Sequence, residues 1–210
     1  PEKENKLTKH LDPGIVEVPA LAIDVAYSTL HTMLHEISSA IISLINEGKT
    51  NVEFEKRIIQ VEEAMPVLHE FIDKIQASNS KERNKMICIL HSMDHFSRLL
   101  KVLREPNKIE QMRLHEKLVM KWYKTLKAVD EMLLDESKIL DVAIELEQTS
   151  QVTASERRQK RNEYFERMVT NETAADLAVA KVDALLWIDR LVFHFWRASA
   201  RMAEYTGIED

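Results

Sequence analysis

Cysteine, glycine and proline are all scarce: one Cys, three Gly and five Pro in 210 residues. A single thiol, Cys88, cannot build an internal disulfide framework and fits a reducing compartment. Gly14, Gly48 and Gly207 are too scattered to form a phosphate-cradling loop. So little glycine and proline suits long helices with short connections. No stretch of eighteen apolar residues is present, so nothing reads as a membrane span. The start, PEKENKLTKH, is polar and unlike a secretory signal. Its opening Pro1 is what a segment excised from a longer protein would show, or a chain that had lost its initiator Met. Lys and Arg are outnumbered by Asp and Glu, 29 to 35, and the net charge of −6 argues against a non-specific nucleic-acid partner.

What the chain does have is helical periodicity. The densest apolar stretch is Val182 to Ser199, with Leu185, Leu186, Trp187, Ile188, Leu191, Val192, Phe193, Phe195 and Trp196. At about 100° per residue, Asp183, Arg190, His194 and Arg197 collect on one narrow polar face. A helix apolar over most of its circumference belongs inside, so the rest of the chain should wrap it. Asp189 falls on the apolar arc. An unpaired carboxylate is costly to bury, so an Arg or Lys from a neighbouring helix should meet it.

In chain order, 1–16 reads as a lead-in, with a turn at Leu11-Asp12-Pro13-Gly14. A first helix spans about Glu17 to Glu47, closed by Gly48. A second runs from Asn51 to Gln76, kinked at Pro66. A third ends at about Arg104, before Glu105-Pro106-Asn107. A fourth, long helix is expected from Ile109 to Glu147, broken at Gln148 to Thr153. There Thr153-Ala154-Ser155-Glu156 has the form of a capping box for a fifth. Asn171 should start the sixth. Aligning Asp94 with Asp189 (189 − 94 = 95) places Leu90 on Leu185, Met93 on Ile188, Phe96 on Leu191 and Leu100 on Phe195. The same offset places Tyr27 on Trp122 and Leu34 on Val129. The expected fold is all-α: six helices as two three-helix bundles, 17–106 and 107–210, in one domain.

Two segments carry a family resemblance. His10-Leu11-Asp12-Pro13 with Val18-Pro19-Ala20-Leu21-Ala22 resembles the segment by which bacterial sodium–phosphate cotransporters leave their last membrane helix. Leu186-Trp187-Ile188-Asp189-Arg190-Leu191 with His194, Trp196 and Arg197 resembles the last-helix pattern of the PhoU family. The resemblance implies a PhoU-like double bundle that regulates phosphate transport without catalysis. Its partner would be the membrane part of the same transporter chain, on the cytoplasmic side of the cell membrane, with a homo-oligomer as a further possibility. A free-standing PhoU-like adaptor, or a metal-binding phosphate-signalling protein, is the alternative. PhoU proteins are known for Glu/Asp-x-x-x-Asp motifs that hold metal. Here the corresponding positions read Asp94 to Arg98 and Asp189 to Phe193, so the second ligand is missing twice and no metal or other cofactor is expected.

The remaining constellations have modest readings. Asp24, His31 and His35 line one stripe of the first helix, where His at i and i+4 can clamp a transition metal, but polar surface is the expectation. His91 and His95 form a second such pair, expected to face solvent opposite Met93. Glu131 and Asp135 read as a solvated face, and Arg157 to Arg161 as an exposed basic turn able to touch anionic headgroups. Cys88 points away from the apolar stripe of its helix and reads as structural. Trp122, Trp187 and Trp196 are expected in the core. A metal-dependent bundle enzyme would need Glu-x-x-His, and none of the eight histidines has Glu three residues before it.

Overall fold

The computed structural model describes residues 5–208, and all its regular structure is helical, with no strand among the described residues. Six long helices are α1 (Pro19–Glu47), α2 (Val52–Asp73), α3 (Ser80–Leu103), α5 (Glu116–Met132), α6 (Ile139–Val169) and α7 (Ala175–Thr206). A short α4 (Pro106–Gln111) precedes α5, and 3-10 turns occupy Pro13–Glu17, Met112–His115 and Glu136–Lys138.

Local chemistry explains most boundaries. The side chains of Asn51 and Asn79 accept from the amides of Phe54 and Glu82, both at 2.9 Å, and so cap α2 and α3. Pro66 lies inside α2, which continues past it. Gly48 closes α1 at φ 65°, in the left-handed region.

The second half differs from the expected pattern. No helix spans Ile109 to Glu147: the chain is interrupted at 112–115 and again at 133–138. At the second break, beyond the end of α5 at Met132, the Asp135 carboxylate accepts from the Ser137 amide at 3.0 Å, an Asx turn that caps the 3-10 turn Glu136–Lys138. Nor is there a break at Gln148 to Thr153. Thr153 lies inside α6, almost fully buried, and its hydroxyl donates to the Thr149 carbonyl at 2.7 Å. That back-bond satisfies the side chain within the helix, so the capping-box pattern goes unused. Asn171 does not start α7. It sits beyond the end of α6 at φ 58°, a conformation Asn tolerates better than most residues.

Packing centres on α7. Leu185, Trp187, Ile188, Leu191, Val192 and Phe195 are completely buried, as an interior helix requires. Yet α3 and α6 cover only its two flanks, and a strip carrying Leu186, Arg190 and Phe193 remains open to solvent. Ser92 donates to the Ala198 carbonyl and the Trp187 indole to the Val102 carbonyl, each at 2.9 Å, so α3 and α7 run antiparallel. The α1–α5 pair is antiparallel too, joined by Ser39 to Asp130 at 3.0 Å and Ser28 to Glu136 at 3.2 Å. In that crossing His35 meets Asp130, two residues that the 95-residue offset aligns. The middle helices break the likeness: α2 lies chiefly on α1, whereas α6 lies chiefly on α7. Buried residues from Leu7 to Tyr205 form one continuous core, so 17–106 and 107–210 share it.

The lead-in is not wholly solvated. Asn5 donates to the Gln60 carbonyl at 2.8 Å, and Leu7 and Leu11 join the core; residues 1–4 lie outside the described residues.

Gly48 is held by its positive φ, and the movable end of the Arg113 side chain lies beside it. The guanidinium donates to the Glu47 carbonyl at 3.1 Å and passes 2.4 Å from where a Cβ on Gly48 would stand. Gly207 has ordinary negative φ, and a Cβ there would meet nothing closer than 3.5 Å. Gly48→Ala should therefore cost about 1–2 kcal/mol in urea unfolding, while Gly207→Ala costs almost nothing. Equal losses at the two positions would contradict this account of the α1 terminus.

Candidate functional site

Polar groups that do not belong to an ordinary surface gather at two seams. The first lies where α1 meets the α5–α6 connection and the end of α7. Tyr27 and Tyr205 stack with ring centroids 4.1 Å apart. The Tyr205 hydroxyl donates to the Asp24 carboxylate, and Lys85 approaches the same carboxylate at 3.6 Å while lying 4.9 Å over the Tyr205 ring. Burial, then the hydrogen bond to Asp24, pushes the Tyr205 phenol far above its ordinary range. One helical turn on, His31 is not polar surface as its spacing suggested. It is only 4% exposed, and its Nε2 and the Tyr27 hydroxyl are both buried without a hydrogen-bond partner in the protein. Burial holds the His31 imidazole below its usual pKa, against the opposing pull of Glu136.

His35, one turn further, is half-buried rather than surface. Its Nε2 stands 3.6 Å from Asp130 Oδ1, and this contact raises the imidazole pKa despite burial. Burial alone would raise the Asp130 carboxyl; contacts from His35 and Ser39 outweigh it and hold the carboxyl low. Asp24, His31 and His35 are thus near neighbours along α1 with three different sets of partners. Among the described residues no group of three His, Cys, Asp or Glu is placed to hold a metal ion.

The second seam is α3 against α7. His95 does not face solvent opposite Met93: its Nδ1 lies 3.2 Å from His194 Nδ1, while His91 remains exposed. With ring centroids 5.5 Å apart, the two imidazoles meet almost end to end. Their nitrogens point at each other rather than at a common third atom. This is the geometry of one N–H donating to one lone pair, and it requires at least one neutral ring. Phe193 packs edge-on against both rings. Burial, then His95 and Arg98, presses the His194 pKa down to about 4; burial, then Arg197, lowers that of His95. Asp94, which would favour protonation of both, is exposed and paired with Arg98 at 2.9 Å. The pairing of His95 with His194 joins residues 99 apart, and no spacing within one helix announces it.

Asp189 meets Arg157 of α6 at 3.0 Å, the cross-helix cation that its place on the apolar arc called for. Burial raises its carboxyl pKa, with Arg157 and Arg158 opposing. Asp94 and Asp189 are therefore both engaged by arginine. Arg157 lies inward; the rest of the 157–161 run is exposed or half-buried. Glu131 and Asp135 are exposed, the latter outside α5. Cys88 is buried rather than turned away from the core, and burial raises its thiol pKa. Trp122 and Trp187 are in the core, but Trp196 only borders it.

No protein-family model, curated protein or solved structure matches the chain.

The histidines set a pH dependence whose sign is fixed. Where folding lowers a histidine pKa, the unfolded chain takes protons more readily, so stability is full above about 6.5 and falls as pH drops toward the folded value, about 4 for His194. His35 acts oppositely: its raised pKa adds stability at low pH that is lost as pH rises through the folded value. His31, His95, His115 and His194 are all lowered, so the net trend below neutrality is loss. In thermal unfolding between pH 7 and 4, His194→Asn, which keeps a hydrogen-bonding amide without titrating, should flatten the decline. Parallel curves for the two proteins would remove His194 as a source of it.

Proposed function

We propose that this chain is a non-catalytic regulatory domain that docks on the membrane part of a sodium-dependent phosphate transporter, at the cytoplasmic side of the membrane. The observation that carries this is the company kept by the segment resembling a membrane-exit linker. Val18 and Leu21, which close that segment and begin α1, are about half exposed, and Leu134 and Leu140 stand out at the same end of the bundle. That end is defined by the Ser28–Glu136 and Asp24–Tyr205 contacts, which bring the start of α1, the α5–α6 connection and the end of α7 together. Exposed apolar residues beside a chain entry are where a partner gains most from docking. Among the described residues no helix is long and apolar enough to cross a membrane, so the spans this reading calls for belong to the partner.

Regulation then follows from differential docking. If the domain binds one state of the transporter more tightly than another, it biases their populations by that difference, commonly about 1–3 kcal/mol. The long helices make a stiff body for this, because a shift at one end is carried along α1 and α7.

Leu134→Glu combined with Leu140→Glu should leave the unfolding midpoint nearly unchanged, since both side chains are exposed, yet alter sodium-dependent phosphate uptake in vesicles. Deletion of Val18 to Asp210 at matched expression should alter it as much or more. Uptake with unchanged rate, affinity and response to internal phosphate in both variants would end the regulatory reading. It would favour a free-standing helical adaptor instead.

A further inference from the structure

Two polar atoms buried on α1 have nothing to bond with. The Tyr27 hydroxyl and His31 Nε2 are both out of the reach of solvent and without a hydrogen-bond partner. The segment beside them is the α5–α6 connection, residues 133–138. Ser28, next to Tyr27 in the chain, donates to Glu136 of that connection at 3.2 Å. After burial itself, Glu136 is the next influence on the Tyr27 phenol and on the His31 imidazole, favouring the protonated form of each. Asp135 acts on His31 in the same sense. We propose that residues 133–138 form a strap with two states: closed over α1, as in the structure, and lifted, with Tyr27 and His31 open to water. The proposal concerns the chain by itself and does not rest on the docking reading. Leu134, 75% exposed on the strap, nevertheless gives a partner at that end a hold on it.

A polar group sealed away without a partner disfavours the state that seals it, because water satisfies the group once it is exposed. Neither side chain can relieve this while the strap is down. Tyr27 stacks on Tyr205 with planes only 11° from parallel, so its ring is held in place. The Tyr205 hydroxyl is already committed to Asp24. His31 lies one turn on, its ring centroid 6.5 Å from that of Tyr27, and the two unpartnered atoms do not bond to each other. Closure therefore leaves two groups dry at once, and lifting hydrates both.

Little holds the strap down. Leu133 is buried in the core, but residues 134–138 are all exposed, as is the Ser28–Glu136 bond. No backbone hydrogen bond joins the strap to α1 among the described residues. Its own bonds are internal. The Asp135 amide donates to the Met132 carbonyl and the Lys138 amide to the Asp135 carbonyl, both at 3.0 Å. The Ser137 amide donates to the Asp135 carboxylate at the same distance. The strap can thus swing as one piece about its junctions with α5 and α6 and keep these bonds. Segments with few buried apolar contacts and exposed backbone hydrogen bonds are the ones that open well below the free energy of global unfolding.

Thiol labelling of the whole chain with a small aromatic disulfide tests this, with Cys88, buried on α3, as the reference within the same molecule. If only global unfolding exposes buried side chains, the thiol of His31→Cys labels together with Cys88. A lifting strap should make it label at least about tenfold faster, as mapped by mass spectrometry. Tyr27→Phe in the same background removes the other unpartnered group. It should slow labelling at position 31 about fivefold or more without lowering the unfolding midpoint. Ser28→Ala, which removes the exposed bond to Glu136, should speed labelling about twofold or more. Should His31→Cys fail to fold by circular dichroism, Leu133→Cys carries the thiol on the strap itself, with the same expectations. Labelling at the rate of Cys88 would overturn the proposal, because the strap then stays down. So would a Tyr27→Phe change that speeds labelling or lowers the midpoint, because the hydroxyl then has a partner in the closed form.

Discussion

The burial of α7 between α3 and α6 is the constraint on which the rest of the structure depends. Trp187 shows why. It is wholly buried, so its indole N–H must find an acceptor, and it finds one in the Val102 carbonyl of the last turn of α3. That bond fixes how far α7 slides along α3, and Ser92 to Ala198 fixes it again nearer the other end. On the opposite flank the Arg157–Asp189 pair does the same for α6. With three helices in register, α1 and α5 have one remaining face to cover, and the core closes as a single volume. Removing one partner of such a buried contact costs more than the contact itself contributes, because the other partner is left without water or a substitute.

The same seams gather the residues with unusual chemistry. The end-to-end imidazoles of His95 and His194, the stacked tyrosines over Asp24 and the ion pair of His35 with Asp130 all lie between helices that are distant in sequence. Each is half out of water, so charge states there are set by neighbours rather than by solvent. The histidines divide accordingly: those surrounded by arginine or apolar groups are held neutral, and the one facing a carboxylate is biased toward its charged form.

Some expectations failed for a common reason. The break at Gln148 to Thr153 and the start at Asn171 were read from short polar clusters, and the unbroken helix from Ile109 to Glu147 from passing over another at Asp135 to Ser137. Ser, Thr, Asn and Asp bond to nearby backbone in several ways, so their presence marks a place where the chain can turn without deciding that it does. Thr153 used its hydroxyl inside the helix, whereas Asp135 used its carboxylate to cap the 3-10 turn between α5 and α6. His31 and Cys88 were misplaced because a helical wheel ranks faces by the company of apolar residues. A helix contacted on several sides buries more than its apolar stripe, and α1 has neighbours on most of its circumference.

By itself the sequence determined what depends on local spacing. The 3.6-residue apolar period made the chain all-helical, Asn51, Asn79 and Gly48 set their helix ends, and the dense run from Val182 to Ser199 marked the helix that others would cover. It also required a partner for Asp189, because a carboxylate on an apolar arc has to be met by a cation. Only the tertiary structure decided which cation that was, which histidines faced each other, and that α6 lies on α7 while α2 lies on α1. Those choices depend on how far whole helices slide and rotate against one another. That register is fixed by summed packing along each seam, with the buried hydrogen bonds rejecting the alternatives, and a single residue's spacing carries no record of it.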